Sequence, residues 1–233
     1  MNSINFNKGI ALTALGSFWW GVIGVIYFEY ISFAGYIEVV LHRCIWTTFF
    51  LVLTTSYFSK WKIFFDIIKN YKTLITLFFS GLLIFINWAV WIYAVANDQI
   101  IDASFGYFIM PILSVLLGNI FFKELLNTKR KISIILVFIS ILFLLFLSFK
   151  SIPWVGLIVA LSWGFYNLLR KKINVDTDIG LLVESFFILP FALIAFYLVV
   201  KAGLNDFTFS NPSLMFILLL AGPMTVIPLF LYI

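Results

Sequence analysis

Long uninterrupted apolar segments are the feature that most constrains how this chain can fold. The segment ISIILVFISILFLLFLSF, residues 132–149, is apolar on every side of a helix, and comparable segments recur along the 233 residues. About 20 residues of helix cross the hydrocarbon core of a bilayer, whereas the strands of outer-membrane barrels alternate apolar and polar residues. The sequence therefore predicts an all-α, polytopic membrane protein.

The composition excludes a soluble domain. Hydrophobic residues make up 64% of the chain and charged residues 11%, while soluble domains are about half apolar and a quarter charged. Such a chain has too few polar side chains to cover a surface that faces water.

Eight helices are predicted, because backbone groups in hydrocarbon must find their hydrogen bonds within their own segment. Their approximate ranges are 9–28, 35–57, 73–96, 103–122, 130–149, 152–170, 179–200 and 213–233.

The placement of lysine and arginine predicts the orientation. Twelve of the 15 cations fall on one side of the predicted helices, at Lys8 and in the segments 58–72, 123–131 and 170–178. The other side has only Lys150 and Lys201, and Arg43 lies inside a helix. Cytoplasmic loops are the ones enriched in Lys and Arg. We therefore expect a cytoplasmic N-terminus, and the amphipathic segment 58–72 is interpreted as a loop with Trp61 and Phe64 at the membrane interface.

An internal repeat is also indicated. The stretch GSFWWGVIGV (16–25) resembles ALSWGFYNLL (160–169), and Glu38 and Glu184 occupy similar positions in the helices that follow. A unit of five helices is odd in number, so a second copy would cross the membrane in the reverse direction, as in many secondary transporters.

The repeat predicts two domains. Residues 1–149 would form the first five-helix repeat and residues 150–233 an incomplete second one. Partners for helices four and five are missing from the second repeat, so we interpret the sequence as a fragment; a naturally short variant is the alternative.

Three ionisable residues lie close together in the second predicted helix. Glu38 and His42 are four residues apart and share a helical face, while Arg43 lies about 100° around the helix from His42. Because a charge at a helix centre costs about 2.5–3.5 kcal/mol on insertion scales, we expect these residues to line an aqueous cavity. Arg43 would hold an anionic group, and Glu38 or His42 would titrate. Alternatively, Glu38 reaches outward and Arg43 only orients the helix by pairing with a carbonyl or carboxylate.

A second polar group lies in FINWAVWIYAVANDQ, residues 85–99. Asn87 and Trp91 share a face and Trp88 is adjacent, a combination that suits a small amphipathic solute. Helix packing and an interfacial aromatic belt are the alternative. Tyr166 and Asn167 are also assigned to the predicted cavity.

Four residues are predicted to cap or bend helices. Asp102 is interpreted as an N-terminal cap. Pro111, Pro223 and Pro228 are expected to bend or gate helices, because proline leaves a backbone carbonyl unsatisfied at membrane depth.

Signatures of enzymes and metal sites are not found. The single cysteine, Cys44, allows no intramolecular disulfide and has no neighbouring ligands at metal-binding spacing. The sequence has no paired-histidine motif, serine nucleophile elbow or phosphate-binding glycine loop. No enzyme activity, cofactor or metal is predicted.

Five ordered segments resemble a known family. DASFGYFIMPILSVLLGNIFFKELL (102–126) is similar to the fourth helix and following turn of EamA-type drug/metabolite transporters. Similarity to their RarD branch extends to four further segments: LHRCIW (41–46), INWAVWIYAVAND (86–98), LSWGFYNLLRKK (161–172) and AGPMTVIPLF (221–230).

The resemblance implies a carrier of the bacterial inner membrane, with ten helices in two inverted repeats and both termini cytoplasmic. Members of the branch carry a chloramphenicol-related name, and the resemblance supplies no substrate. We expect an exporter of small metabolites or drugs that works by alternating access, with Glu38 and Glu184 as candidates for proton coupling. The expected partners are a small-molecule substrate and the lipid bilayer, with homo-oligomerisation left open and no nucleic acid. The alternative function is a non-transporting membrane interaction or assembly protein.

Overall fold

The computed structural model describes residues 3–123, 126–148 and 153–231, and every regular element in these ranges is helical. They form two compact units, Met1–Gly81 with Val175–Ile233, and Leu82–Asn174. The prediction of an all-α protein is confirmed. The predicted repeat boundary at 149–150, Lys150, and the predicted helix ends at 149, 152 and 233 lie outside the described residues.

The first unit contains most of the helices. In chain order they are α1 Ser3–Phe18, a π-helical segment Trp19–Gly24, α2 Val25–Tyr30, a 3-10 segment Ile31–Ala34, α3 Tyr36–Tyr57, α4 Trp61–Lys69, the start of α5 Tyr71–Ala96, α9 Thr177–Lys201, α10 Pro212–Leu219, α11 Ala221–Val226 and a 3-10 segment Ile227–Leu231. The second unit contains the rest of α5, α6 Ile100–Phe122, α7 Thr128–Ser148 and α8 Trp154–Lys171.

Helices α3 and α9 form the centre of the first unit and run antiparallel. The His42 ring lies 5.0 Å from the Phe196 ring, and Lys60 just after α3 reaches Asp178 at the start of α9. The first turn of α3 therefore lies beside the end of α9, and the end of α3 beside its beginning. Helix α11 packs against α3 from another direction.

The predicted helix 213–233 is interrupted. Helix α10 ends at Leu219, and α11 begins two residues later. Pro223 has no N–H for the carbonyl of Leu219, and its ring clashes with the preceding turn. The remaining segment, Ile227–Leu231, is wound as a 3-10 helix around Pro228.

The segment 58–72, interpreted as a loop, contains a short helix. Helix α4 occupies Trp61–Lys69, and Phe64 is buried with its ring 5.6 Å from that of Phe186 in α9. Phe64 is therefore covered by protein, whereas the sequence predicted that it contacts the membrane interface. An amphipathic helix can bury its apolar stripe against protein as well as against lipid, and here α9 covers Phe64.

Two glycines bring α6 and α8 together in the second unit. A Cβ atom added to Gly106 would collide with the backbone of Gly156, so these helices touch backbone to backbone as small residues allow. The predicted cap at Asp102 is wrong. Helix α6 begins at Ile100 with Gln99 in the capping position, and Asp102 lies in the first turn.

Six stretches in the described residues are long and apolar enough to cross a membrane. They are Gly9–Ala34, Tyr36–Tyr57, Tyr71–Ala96, Ile100–Phe122, Thr177–Lys201 and Pro212–Phe230. Of the eight predicted helices, those at 130–149 and 152–170 are present as α7 and α8 but are not among the six. The chain is a multi-pass membrane protein.

Candidate functional site

The polar residues of α3 are buried inside the first unit. Glu38, His42 and Arg43 are 2%, 1% and 3% exposed, although α3 is one of the candidate spans. Ionisable groups at such positions need partners, because an isolated charge in an apolar medium is very costly. Each of the three has partners on other elements of the same unit.

Trp46, His42 and Glu38 form a hydrogen-bonded chain along one face of α3. The indole Nε1 of Trp46 donates to His42 Nδ1 at 3.0 Å, and His42 Nε2 lies 3.3 Å from Glu38 Oε1. An indole N–H can only donate, so Nδ1 is the acceptor and the proton of the neutral ring lies on Nε2, facing Glu38. A proton added to Nδ1 would break the bond to Trp46.

The Glu38 carboxylate also binds the loop that follows α9. Its Oε2 accepts a hydrogen bond from the N–H of Asp206 at 2.8 Å, and its Oε1 accepts one from the N–H of Phe207 at 3.0 Å. The loop reaches this position because Gly203 ends α9 at a φ of 67°, a left-handed conformation that favours glycine. We call this arrangement the Glu38–amide site.

Aromatic rings of the same loop and of α9 cover His42. The ring of Phe207 lies 4.7 Å from the imidazole, and Phe196 contacts it edge-on. The imidazole is therefore fixed by two hydrogen bonds along α3 and by apolar rings across it.

Arg43 points toward different elements from His42. Its Nε donates to Thr225 Oγ1 at 3.1 Å, and its guanidinium carbon lies 5.1 Å from the ring centre of Trp20 and 4.9 Å from that of Phe28. Aromatic faces attract a guanidinium, more strongly where water is excluded. The sequence predicted neither Thr225 nor the two rings as partners of Arg43.

Glu184 is fully buried near the start of α9, and Ser80 Oγ donates to its Oε1 at 2.5 Å. A Cβ atom on Gly81 would lie 3.4 Å from the Glu184 Cα, so α5 passes close to α9 here. Since α3 and α9 are antiparallel, Glu38 and Glu184 lie toward opposite ends of the pair.

A charged contact that the sequence did not predict joins α9 to the end of α3. Lys60 Nζ lies 2.7 Å from Asp178 Oδ2 and 3.7 Å from Asp176 Oδ2. The side chain of Asp178 is 3% exposed. The one sequence signal for Asp178 is its place at the start of an apolar helix, where carboxylates are favoured.

In the second unit, Asn87 is buried and bonded to α8. Its Nδ2 donates to the Val159 carbonyl and to Ser162 Oγ, each at 3.1 Å. Trp88 and Trp91 are also buried. These bonds hold α5 to α8, and the amide is 3% exposed.

Tyr166 and Asn167 lie on different sides of α8. Tyr166 is buried with its ring 5.4 Å from that of Trp163, whereas Asn167 is exposed. Asn167 lines a partly open cleft between α6 and α8, with Ser114 and Lys171 among its neighbours.

The prolines act differently in their helices. Helix α6 continues from Ile100 to Phe122 through Pro111, whereas a break separates α10 from α11 just before Pro223. In an α-helix, residue 228 would donate its N–H to the carbonyl of Met224, four residues earlier, but Pro228 has no N–H. Instead, Trp19 Nε1 donates to that carbonyl at 3.0 Å.

Comparison with known proteins identifies the family. Residues 7–146 match the EamA-like transporter family. Protein RarD of Salmonella typhi is 34% identical over 229 residues, which make up 98% of this chain and 77% of that protein. The chain belongs to the EamA-like transporter family. This EamA-like transporter is similar to the RarD branch along almost its whole length, as the five ordered segments had indicated.

Two other relatives of the EamA-like chain carry names that bear on its function. YojE of Bacillus subtilis, named an uncharacterized transporter, is 32% identical over 100% of this chain and 78% of its own length. A protein of Pseudomonas aeruginosa named chloramphenicol-sensitive protein RarD is 28% identical over 69% of this chain and 55% of its own length. No solved structure matches the chain.

Proposed function

We propose that this EamA-like transporter is a secondary carrier that exports small metabolites or drugs by alternating access. The proposal rests on the buried polar side chains of α3. Glu38, His42 and Arg43 are all bonded inside a membrane-spanning helix. Ionisable residues inside such helices are rare and commonly mark substrate or proton pathways. The name of the chloramphenicol-sensitive relative supports a drug-like solute as the first substrate to test.

Proton coupling is part of the proposal. Glu38 and Glu184 are buried carboxyls at opposite ends of the α3–α9 pair, and His42 is bonded to Glu38. Two charged residues adjoin these groups. Arg43 follows His42 on α3, and Asp206 donates its backbone N–H to Glu38. A carrier that uses these groups would respond to an imposed proton gradient and to the pH of the medium.

The proposed setting is the bacterial inner membrane with a cytoplasmic N-terminus, supported by the distribution of lysine and arginine. The proposed partners are a small-molecule substrate and the lipid bilayer. The transporter names of relatives such as YojE support a carrier and not an enzyme.

Transport by proteoliposomes tests the proposal. The chain is reconstituted, and chloramphenicol and a panel of small amphipathic acids and amines are offered with and without an imposed proton gradient. We expect at least one solute to move faster than in protein-free liposomes, and faster still with the gradient. No flux above protein-free liposomes for any solute would overturn the carrier, and flux that ignores pH and the gradient would overturn proton coupling.

Arg43→Ala is the first variant to test, because it removes the cation held between Trp20 and Phe28. We expect transport to fall by at least about tenfold, the effect of losing one hydrogen bond to a charged group. Arg130→Ala is the matched control, since Arg130 is exposed at the start of α7. Arg43→Lys keeps the charge and separates its loss from the loss of packing. Wild-type transport by a folded Arg43→Ala protein would remove Arg43 from the site.

One observation favours the second candidate, a non-transporting interaction or assembly protein. Arg43 and Asn87 are each 3% exposed and bonded within the protein. A thiol-labelling scan of cysteines placed along α3 and α5 separates the two candidates. A carrier exposes one face of these helices to water during its cycle, whereas a packed bundle leaves both helices unlabelled.

A further inference from the structure

The α3–α9 pair is joined by a charged contact at each end. Glu38 in the first turn of α3 binds the loop that follows α9, and Lys60 just after α3 binds Asp178 in the first turn of α9. Both helices are candidate membrane spans, so these contacts lie toward opposite faces of the membrane. The segment between them holds His42 and the buried Thr47.

The Glu38–amide site closes the end where α9 passes into its loop. Two successive backbone N–H groups, of Asp206 and Phe207, converge on one carboxylate, and hydrogen bonds to an ionised acceptor are stronger than neutral ones. The same loop lays the Phe207 ring over His42. Release of the two amides would free the ring that covers the imidazole.

The Lys60–Asp178 ion pair closes the other end. Asp178 is almost fully buried, whereas Lys60 retains about a quarter of its exposure. The exposed Asp176 lies within 3.7 Å of the same ammonium and offers it a second carboxylate. Lys60 can therefore move from Asp178 to Asp176 and water, while Asp178 keeps the hydrogen bond that its Oδ1 accepts from the N–H of Ile179 at 2.9 Å.

We propose that the Glu38–amide site and the Lys60–Asp178 ion pair are the two gates of the transport cycle, both closed in this structure and released in alternation. The proposal rests on the proposed function of alternating access. It gives gating roles to Lys60, Asp178 and the loop amides of Asp206 and Phe207. Lys60 and Asp178 are positioning residues, because they set which face is open and need not touch the substrate.

The single cysteine provides a native reporter for the test. Cys44 is buried on α3 between the two gates, and Thr47→Cys in a Cys44→Ser background provides a second reporter one turn further on. The protein is labelled in oriented membrane vesicles with a membrane-impermeant maleimide from each side in turn. The wild-type protein should label slowly from both sides.

Each variant should raise labelling from its own side only. Glu38→Gln weakens the Glu38–amide site, and we expect labelling from that face to rise roughly tenfold, the factor that a hydrogen bond to a charged group contributes to an equilibrium. Asp178→Asn and Lys60→Met should each raise labelling by a similar factor from the opposite face, and Lys60→Arg should restore slow labelling. Glu38→Asp, which keeps the charge and shortens the reach, should give an intermediate rate.

Matched controls carry the same chemical changes at exposed positions, namely Glu29→Gln in α2 and Asp66→Asn in α4, and should label like the wild type. Equal increases from both sides, or no increase in any gate variant, would overturn the gates. Transport measured on the same samples separates the two proposals. Wild-type flux with unchanged labelling in the variants rejects only the gates, whereas no wild-type flux for any solute rejects the carrier itself.

Discussion

At the scale of single residues, the hydrogen bonds around His42 determine what the imidazole can do. Trp46 fixes the acceptor nitrogen and directs the ring proton toward Glu38. The same carboxylate is bonded to two loop amides. A change in protonation at His42 or Glu38 therefore alters the hydrogen bonds of the loop as well as the local charge.

Trp46→Phe tests this arrangement, because it removes the indole N–H and keeps an aromatic ring. We expect a loss of about 1 kcal/mol in the free energy of unfolding, the usual contribution of one hydrogen bond, seen as a lower melting temperature in detergent. The rate of solute transport driven by a proton gradient should also change, because the tautomer of His42 is no longer fixed.

Trp61→Phe is the control for this change, because the indole of Trp61 donates to Ser56 Oγ at an exposed position. Its melting temperature should fall less. An equal fall for both variants would show that the Trp46–His42 bond contributes nothing beyond an ordinary surface contact.

The sequence predicted part of this site. Helical spacing placed Glu38 and His42 on one face and Arg43 to the side, and the three side chains point that way. Their partners were not predictable. Asp206 and Phe207 lie about 170 residues away in a loop, and backbone amides leave no signal in residue type. Thr225, which binds Arg43, is an ordinary residue of an apolar segment.

At the scale of elements, close backbone contact holds α6 against α8. Lipid chains are as apolar as the side chains, so helices in a membrane associate by packing and hydrogen bonds, and small residues at the contact allow close approach. The contact of Gly106 with Gly156 is of this kind. Helix α5 is joined to α8 by the hydrogen bonds of Asn87.

Gly106→Ala should destabilise the protein, because its new methyl group would enter the backbone of α8. We expect a cost of about 1–3 kcal/mol, typical of overpacking, measured as a lower melting temperature in detergent. Gly9→Ala is the control. Its Cβ would meet no atom within 4 Å, so it should be neutral or slightly stabilising. A stable Gly106→Ala protein would contradict the backbone contact.

Element boundaries were predicted where apolar runs end in charged or glycine-containing turns, as for α3 at 35–57. They were missed where the position of a helix end depends on other segments that pack against it. Helix α4 forms inside a basic segment because α9 covers Phe64. The break between α10 and α11 follows from Pro223, which the sequence marked as a bend without fixing where the helix stops.

At the scale of the whole molecule, the positions of lysine and arginine predict the membrane topology. With a cytoplasmic N-terminus, the turn between α5 and α6 faces the opposite side and the segment 123–131 faces the cytoplasm. Reporter fusions test this. A green fluorescent reporter fused after Asn127 should fluoresce, and alkaline phosphatase fused after Asp98 should be active.

A second cytoplasmic fusion after Lys69 serves as the internal control and should behave like the one after Asn127. The reverse pattern, with phosphatase activity at Asn127 and fluorescence at Asp98, would invert the topology. It would also place the Glu38–amide site at the cytoplasmic face.

The sequence predicted the class of molecule and its family, because hydrophobic length and ordered motifs are local properties. It did not predict that the polar residues of α3 are enclosed by Phe196, Phe207, Trp20 and Phe28, since enclosure depends on which segments pack together. The ion pair of Lys60 with Asp178 was missed for the same reason.

The indole of Trp19 has a mechanical consequence. It supplies the hydrogen bond that Pro228 denies to the carbonyl of Met224, and an unpaired carbonyl dipole in hydrocarbon costs several kcal/mol. If the π-helical segment moved along α11, the carbonyl of Met224 would lose its hydrogen bond. The hydrogen bond therefore favours movement of the π-helical segment and α11 together, because separating them would break it.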